Sequence, residues 1–177
     1  MGTTRDSPSR ESEPASQFDL LYEKLRLPVY RVIRGIVLDA ATAESLTQEA
    51  FERAYAARAA HLGDESAAWV YRIAVEVALA RLRGPWWRRL GLSALRPARR
   101  APASNSSQAE RMLSSLTPRL RAAVVLAFYA RLPRQELAAT LQLPVAVVNV
   151  QLDHAAELMG SALSATDQPE GRERLNG

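Results

Sequence analysis

The chain has 177 residues, 47% of them hydrophobic, enough for one ordinary domain or two small ones with compact cores. Its formal net charge of +4, from 23 basic and 19 acidic residues, is mild and becomes suggestive only through its uneven spread. The absence of cysteine excludes a disulfide scaffold, an iron–sulfur cluster and a cysteine-ligated zinc, and no apolar run approaches the roughly 20 residues of a membrane span.

Residues Met1 to Gln17 are rich in Ser, Pro, Glu and Arg and read as a disordered tail with no signal-peptide apolar core. A first helix is predicted from Phe18 to about Leu38, where Leu20, Leu21, Leu25, Val29, Val32, Ile33 and Ile36 recur at helical spacing. Pro28 is expected to kink or interrupt it. Asp39 is the N-cap of a second helix running to about Arg58, and Asp64 caps a third from Glu65 to Arg83, ended by Gly84-Pro85. Periodicity then fails as far as Gln108, while Pro85, Pro97, Pro102 and Ser104 to Ser107 mark a linker with a short helical piece around Trp87 to Leu92.

Beyond the linker, helices are predicted at about Ala109 to Leu116, Pro118 to Ala130, Pro133 to Leu141 and Pro144 to Ala165. Thr117 caps the second of these, and Pro118, Pro133 and Pro144 suit the first helical position. A turn at Gln142-Leu143 between the last two makes a helix-turn-helix candidate. Residues Thr166 to Gly177 read as a second tail. With no strand pattern and no repeat, the expected fold is all-α: two small helical domains, 18–84 and 109–165, joined by an Arg/Pro-rich linker over 85–108.

On the second helix, Ala43, Leu46, Thr47, Ala50, Phe51 and Ala54 form the buried stripe, leaving Glu44, Gln48, Glu49 and Glu52 outside. In an arbitrary protein such a face is simply solvated. On the third helix Arg72, Glu76, Leu79 and Arg83 share one face, with Val70, Ile73 and Val77 toward the core. Trp69 and Tyr71 supply aromatic surface near its start, core filling being the first reading for Trp69 and base stacking the second. Arg72 and Arg83 are nucleic-acid candidates, because a guanidinium forks a phosphate and stacks on a base. A carboxylate at Glu76 repels phosphate and can pair with Arg72 one turn earlier.

The basic run into and through the linker carries Arg81, Arg83, Arg88, Arg89, Arg96, Arg99 and Arg100, with no acid between Glu76 and Glu110. It reads either as a solvated connector or as a polyanion contact, with Trp86-Trp87 available for stacking. On the last helix, Val148, Leu152, Ala155 and Met159 form the core stripe. Between Pro144 and Ala165 there is no Lys or Arg, and Asp153 and Glu157 are acidic. Asn149 and Gln151 can read adenine edges. Phosphate anchoring is what this helix lacks, unless Arg131 and Arg134 supply it. No phosphate-binding Gly-rich loop, His-centred triad or metal-spaced carboxylate cluster is present, and His61 and His154 lie far apart. No catalytic residue, metal, cofactor or small-molecule substrate is therefore expected.

Ala43-Glu-Ser-Leu-Thr-Gln-Glu-Ala-Phe51, then Trp69-Val-Tyr-Arg-Ile-Ala74, then the Pro-punctuated helix pair ending at Met159 resemble a bacterial sigma factor of the extracytoplasmic-function type. The resemblance covers Phe18 to Arg83 and Ala109 to about Leu163. It implies that Glu44, Gln48, Glu49 and Glu52 dock on the clamp helices of the largest subunit of core RNA polymerase. It implies promoter −10 contact through Trp69, Tyr71, Arg72 and Arg83, and −35 contact through Asn149, Gln151 and His154. Promoter DNA is then a partner, an anti-sigma factor a further candidate, and the location cytoplasmic with no membrane contact. The chain departs from the family at Ser45 and Ala80, where Asp is usual, at Glu76, where Asn is usual, and at Val147-Val-Asn-Val-Gln-Leu152, where the family carries a Thr-Val-Lys-Ser-Arg-Leu pattern. The departures support an alternative, a sigma-like protein that occupies polymerase or an anti-sigma partner without reading a −35 element.

Overall fold

The structure, a computed structural model, describes residues 12–61, 67–83 and 107–166, with side chains for 17–61, 67–83 and 107–162. All regular structure among the described residues is helical. Helix α1 spans Ser12–Val37, beginning inside the segment expected as a tail, and runs through Pro28 without interruption. A proline inside a helix costs about 3 kcal/mol. Val29, Val32, Ile33 and Ile36 directly after it are all fully buried, and each such side chain contributes roughly 1.5–3 kcal/mol. Packing therefore outweighs the break that the proline alone favours.

Leu38 ends α1 in the left-handed region, φ 59°, its N–H donating to Arg34 O at 2.9 Å. Asp39 then caps α2 (Ala40–Ala57) as expected, its carboxylate accepting from Thr42 N at 2.8 Å. The buried residues of α2 are the six of the expected stripe. A 3₁₀ turn, Arg58–His61, follows, and α3 spans Ala68–Arg83. Asp64, Glu65 and Gly84-Pro85, expected to bound α3, lie outside the described residues, as does linker 84–106 with its tryptophans and arginines.

Ser107 caps α4 (Gln108–Ser114), accepting from Glu110 N at 3.2 Å. Thr117 caps α5 (Pro118–Val124), with Pro118 in its first turn. The helix expected to continue to Ala130 widens instead into a π-helical segment, Val125–Tyr129, in which Ala130 N reaches back five residues to Val125 O at 3.0 Å. Pro133 and Pro144 each sit one residue before their helices, α6 (Arg134–Leu141) and α7 (Val145–Thr166). The turn between them is a Schellman arrangement on Gln142, φ 55°, with Leu143 N donating to Ala138 O at 2.9 Å and Gln142 N to Ala139 O at 3.2 Å.

Two small domains were the expectation, and whether they pack together was left open by the sequence. Among the described residues, helices of both blocks close on one continuous hydrophobic core, α1 packing against α2, α3 and α5, and α3 also against α6. Three contacts mark the junction: Gly35 against Val125, Arg34 paired with Glu110 at 2.5 Å, and Arg31 donating to the Tyr129 hydroxyl at 3.1 Å. A partly exposed ion pair contributes no more than about 1 kcal/mol. Apolar burial, not the pair, joins the blocks.

Candidate functional site

The first three helices carry two candidate surfaces, on opposite chemical principles. One is an open groove of about 820 Å³ between α1 and α2. Phe18 and Tyr22 lie one turn apart on α1, Phe51 and Tyr55 one turn apart on α2, so four rings meet across the helix pair. They pack edge to face: Phe18–Phe51 at 6.5 Å, Phe18–Tyr55 at 5.3 Å and Tyr22–Phe51 at 4.8 Å between centroids. Arg58 lies 3.7 Å over the Tyr55 ring and donates to the Tyr55 carbonyl at 2.7 Å, fixing that wall.

Acids rim the aromatic floor. Glu44, Gln48 and Glu52 line the groove with Asp19 of α1, against one cation, Arg26. Gln48 Nε2 donates to Glu52 Oε1 at 2.9 Å. Glu49 does not line the groove: it pairs with Arg53 at 2.6 Å on the neighbouring side of α2. The expected polymerase-binding set is therefore split three to one. The groove's aromatic floor was missed by sequence reasoning, although two aromatic pairs, each four residues apart on adjacent helices, were a readable signal for it.

The second surface is the outer face of α3. Arg72 is half-buried, while Glu76 and Arg83 are exposed on the same face, as expected. Glu76 does not pair with Arg72, and Arg83 Nε instead reaches Leu79 O at 3.4 Å. Trp69 fills the core, as its first reading has it, while Tyr71 is a correction to the expected aromatic surface: they are 6% and 5% exposed. Trp69 stacks on His61, ring centroids 4.4 Å apart and planes 4° from parallel, and its buried Nε1 has no hydrogen-bond partner. Burial of an indole body outweighs one unmade hydrogen bond. Burial, and secondarily the nearby Tyr129, raise the Tyr71 hydroxyl above its usual range.

On α7, Asn149 and His154 are exposed and Gln151 is half-buried. His154 Nδ1 lies 3.8 Å from Glu157 Oε2. Val145 and Val147 are each 39% exposed and Val150 67%, so the free face is apolar and acidic rather than basic. In α5, burial lowers the pKa of the Arg121 guanidinium, whose Nε has no partner. Among the described residues no metal-binding cluster of His, Asp and Glu occurs, and no helix is long and apolar enough to cross a membrane.

Residues 21–88, from α1 through α3, match the family model described as Sigma-70 region 2. No curated protein matches the chain. Among solved structures it is similar to the sigma factor RpoE in complex with the anti-sigma factor NepR from Bartonella quintana, at 15% identity and a TM-score of 0.68, over 86% of this chain and 99% of that one. It is also similar to CnrH in complex with the cytosolic domain of CnrY, at 21% identity and a TM-score of 0.63, over 89% of this chain and 96% of that one. The two structures share the fold across both blocks, and the α3 face and the groove, apart from Phe18 and Asp19, fall within the stretch that matches Sigma-70 region 2.

Proposed function

We propose that the chain is an RNA polymerase sigma factor of the extracytoplasmic-function type, a cytoplasmic, non-enzymatic subunit directing promoter-specific initiation. The observation that carries this reading is the Sigma-70 region 2 match over residues 21–88. Glu44, Gln48 and Glu52 around the aromatic groove, with Glu49 beside it, present an acidic rim suited to a basic helical partner, the clamp helices of core polymerase. Arg72 and Arg83 on α3 supply the cations for promoter −10 contact, and α6–α7 act as the helix-turn-helix, with Asn149, Gln151 and His154 facing DNA.

RpoE is solved with an anti-sigma factor and CnrH with the cytosolic domain of CnrY. By extension, a protein partner for this chain competes for the same groove. A second reading is favoured by α7, whose free face carries three exposed valines and no Lys or Arg from Pro144 to Ala165. In it, the chain occupies polymerase or an anti-sigma partner without reading a −35 element, and α7 has become a protein contact.

Purified chain mixed with core polymerase tests both. Co-elution followed by initiation from a genomic promoter library supports the sigma factor. Co-elution without initiation at any promoter favours the second reading, and failure to co-elute removes the first and leaves only the anti-sigma partner of the second.

A further inference from the structure

Apart from the valines of α7 and Leu82 near the end of α3, the exposed large apolar side chains among the described residues gather on α1 and its two flanks. Leu20 and Leu27 are 74% and 51% exposed on α1 itself, Tyr22 and Tyr55 are open walls of the groove, and Phe128, 65% exposed, stands with Tyr129 on the π-helical segment. The patch is continuous: Leu27 lines the groove, and Arg31, one turn later on α1, donates to the Tyr129 hydroxyl at 3.1 Å. Together these side chains expose apolar surface on the order of several hundred Å², the scale at which a patch on a soluble protein marks a contact. Short π-helical segments also concentrate at functional places.

On α1, Leu20 and Leu27 lie within about 20° of each other and form a seam. On one side of the seam come Glu23 and the groove residue Tyr30, and on the other come Lys24, Arg31 and Gly35, the last two facing the second block. Glu23 and Lys24 are both exposed, each about 50° from the seam. The flanks are opposite in charge. The groove side carries Asp19, Glu44 and Glu52 against Arg26, whereas on the other side Phe128 is followed by the exposed Arg131 and Arg134. A matching partner has an exposed ring among arginines on one side of an apolar ridge and an acid-rimmed aromatic groove on the other. The chain itself fits that description.

We propose that the chain pairs with a second copy of itself about a twofold axis running along α1. That rotation keeps the seam in place and exchanges the two flanks. Leu20 and Leu27 then meet their counterparts at heptad spacing, as in a parallel helix pair. Glu23 of each copy faces Lys24 of the other. Each Phe128 enters the other copy's groove at the end marked by Tyr30 and Glu44, level with Tyr129 on the opposite flank of α1, and brings Arg131 and Arg134 to the acidic rim. Both joints form at once, so the pair is closed and does not grow into a chain. The pairing stands apart from the sigma-factor reading. Its consequence for polymerase rests on that reading: a paired chain has no free groove with which to dock.

Sedimentation equilibrium of the full-length protein between about 1 and 100 μM follows the pairing by mass action. The mass should rise from 19.5 kDa toward twice that value. Phe128→Ser and Leu27→Lys change exposed positions, and each should raise the dissociation constant about tenfold or more with helicity unchanged. Lys24→Glu sets like charges opposite each other and should weaken the pair about tenfold, and adding Glu23→Lys should restore it. The chain has no cysteine. Leu20→Cys should therefore cross-link to its own counterpart under mild oxidation, because the axis brings like residues together, whereas Ala139→Cys, exposed on α6, should not.

A mass that stays at 19.5 kDa over the whole range would overturn the proposal, as would a mass that passes beyond two chains, pairing untouched by Phe128→Ser, or failure of Glu23→Lys to rescue Lys24→Glu. Capture of core polymerase separates the two readings. A chain that pairs in this way and never captures polymerase leaves the pairing standing and removes the dock. One that captures polymerase, loses capture in Phe128→Ser and sediments throughout as a single chain does the reverse, and assigns the patch to polymerase.

Discussion

At the scale of single residues, position relative to the groove decides what an acidic side chain does. Glu44 and Glu52 line it, whereas Glu49 is held by Arg53 at 2.6 Å. Charge reversal of rim groups acts mainly on association rate and salt dependence. Glu44→Lys with Glu52→Lys should weaken capture of core polymerase by about tenfold at low salt, a loss of about 1.4 kcal/mol. Glu49→Lys should change it several-fold less. Equal losses from all three would mean that the whole outer face of α2, not the groove, meets the partner. On α3, Arg72→Ala and Arg83→Ala should each flatten the dependence of log affinity for single-stranded DNA on log salt by roughly 0.7. Glu76→Asn should strengthen binding, and identical behaviour of all three variants would remove α3 as the DNA surface. Tyr71 supplies a pH test. Its folded pKa is raised above the ordinary 10.0 by burial, then by Tyr129. The folded state thus holds the proton more tightly. Its contribution to stability is complete below pH 10 and lost as pH rises through the folded value. Tyr71→Phe should remove that alkaline loss, measured as denaturation midpoint against pH.

At the scale of elements, local signals and tertiary demands compete. The turn between α6 and α7 places Gln142 at φ 55°, where a non-glycine residue costs about 1 kcal/mol. Gln142→Gly should raise unfolding free energy by about that amount in chemical denaturation, with DNA binding unchanged. Helix α7 tests whether missing charge or fold limits −35 contact. Asn149 and His154 are exposed while Gln151 is half-buried. Asn149→Lys with His154→Arg should therefore suffice to gain duplex affinity, steepening the salt dependence by roughly 0.9 for each phosphate engaged. Tight sequence-specific binding by the unaltered chain would show instead that neutral side chains already read the groove.

At the scale of the whole molecule, the sequence by itself determined the helical class, the caps at Asp39 and Thr117 and the six-residue buried stripe of α2. These are decided within a few residues, by side chains bonding neighbouring backbone N–H groups and by a 3.6-residue repeat. Residues Glu44, Gln48 and Arg83 were legible as surface for the same reason. What was not legible depended on partners distant in the chain. Pro28 announces a break, yet the helix passes through it because Val29, Val32, Ile33 and Ile36 are buried against other elements. Tyr71 carries the signature of an aromatic surface but is buried, and Tyr129, 58 positions later by the numbering, acts on its hydroxyl. The four-ring groove needed α1 and α2 set side by side, and the common core needed Val125 to settle against the bare backbone of Gly35. Periodicity tells which face of a helix seeks cover. Only the tertiary structure decides what covers it, because burial free energy depends on how much apolar area meets and not on which segment supplies it.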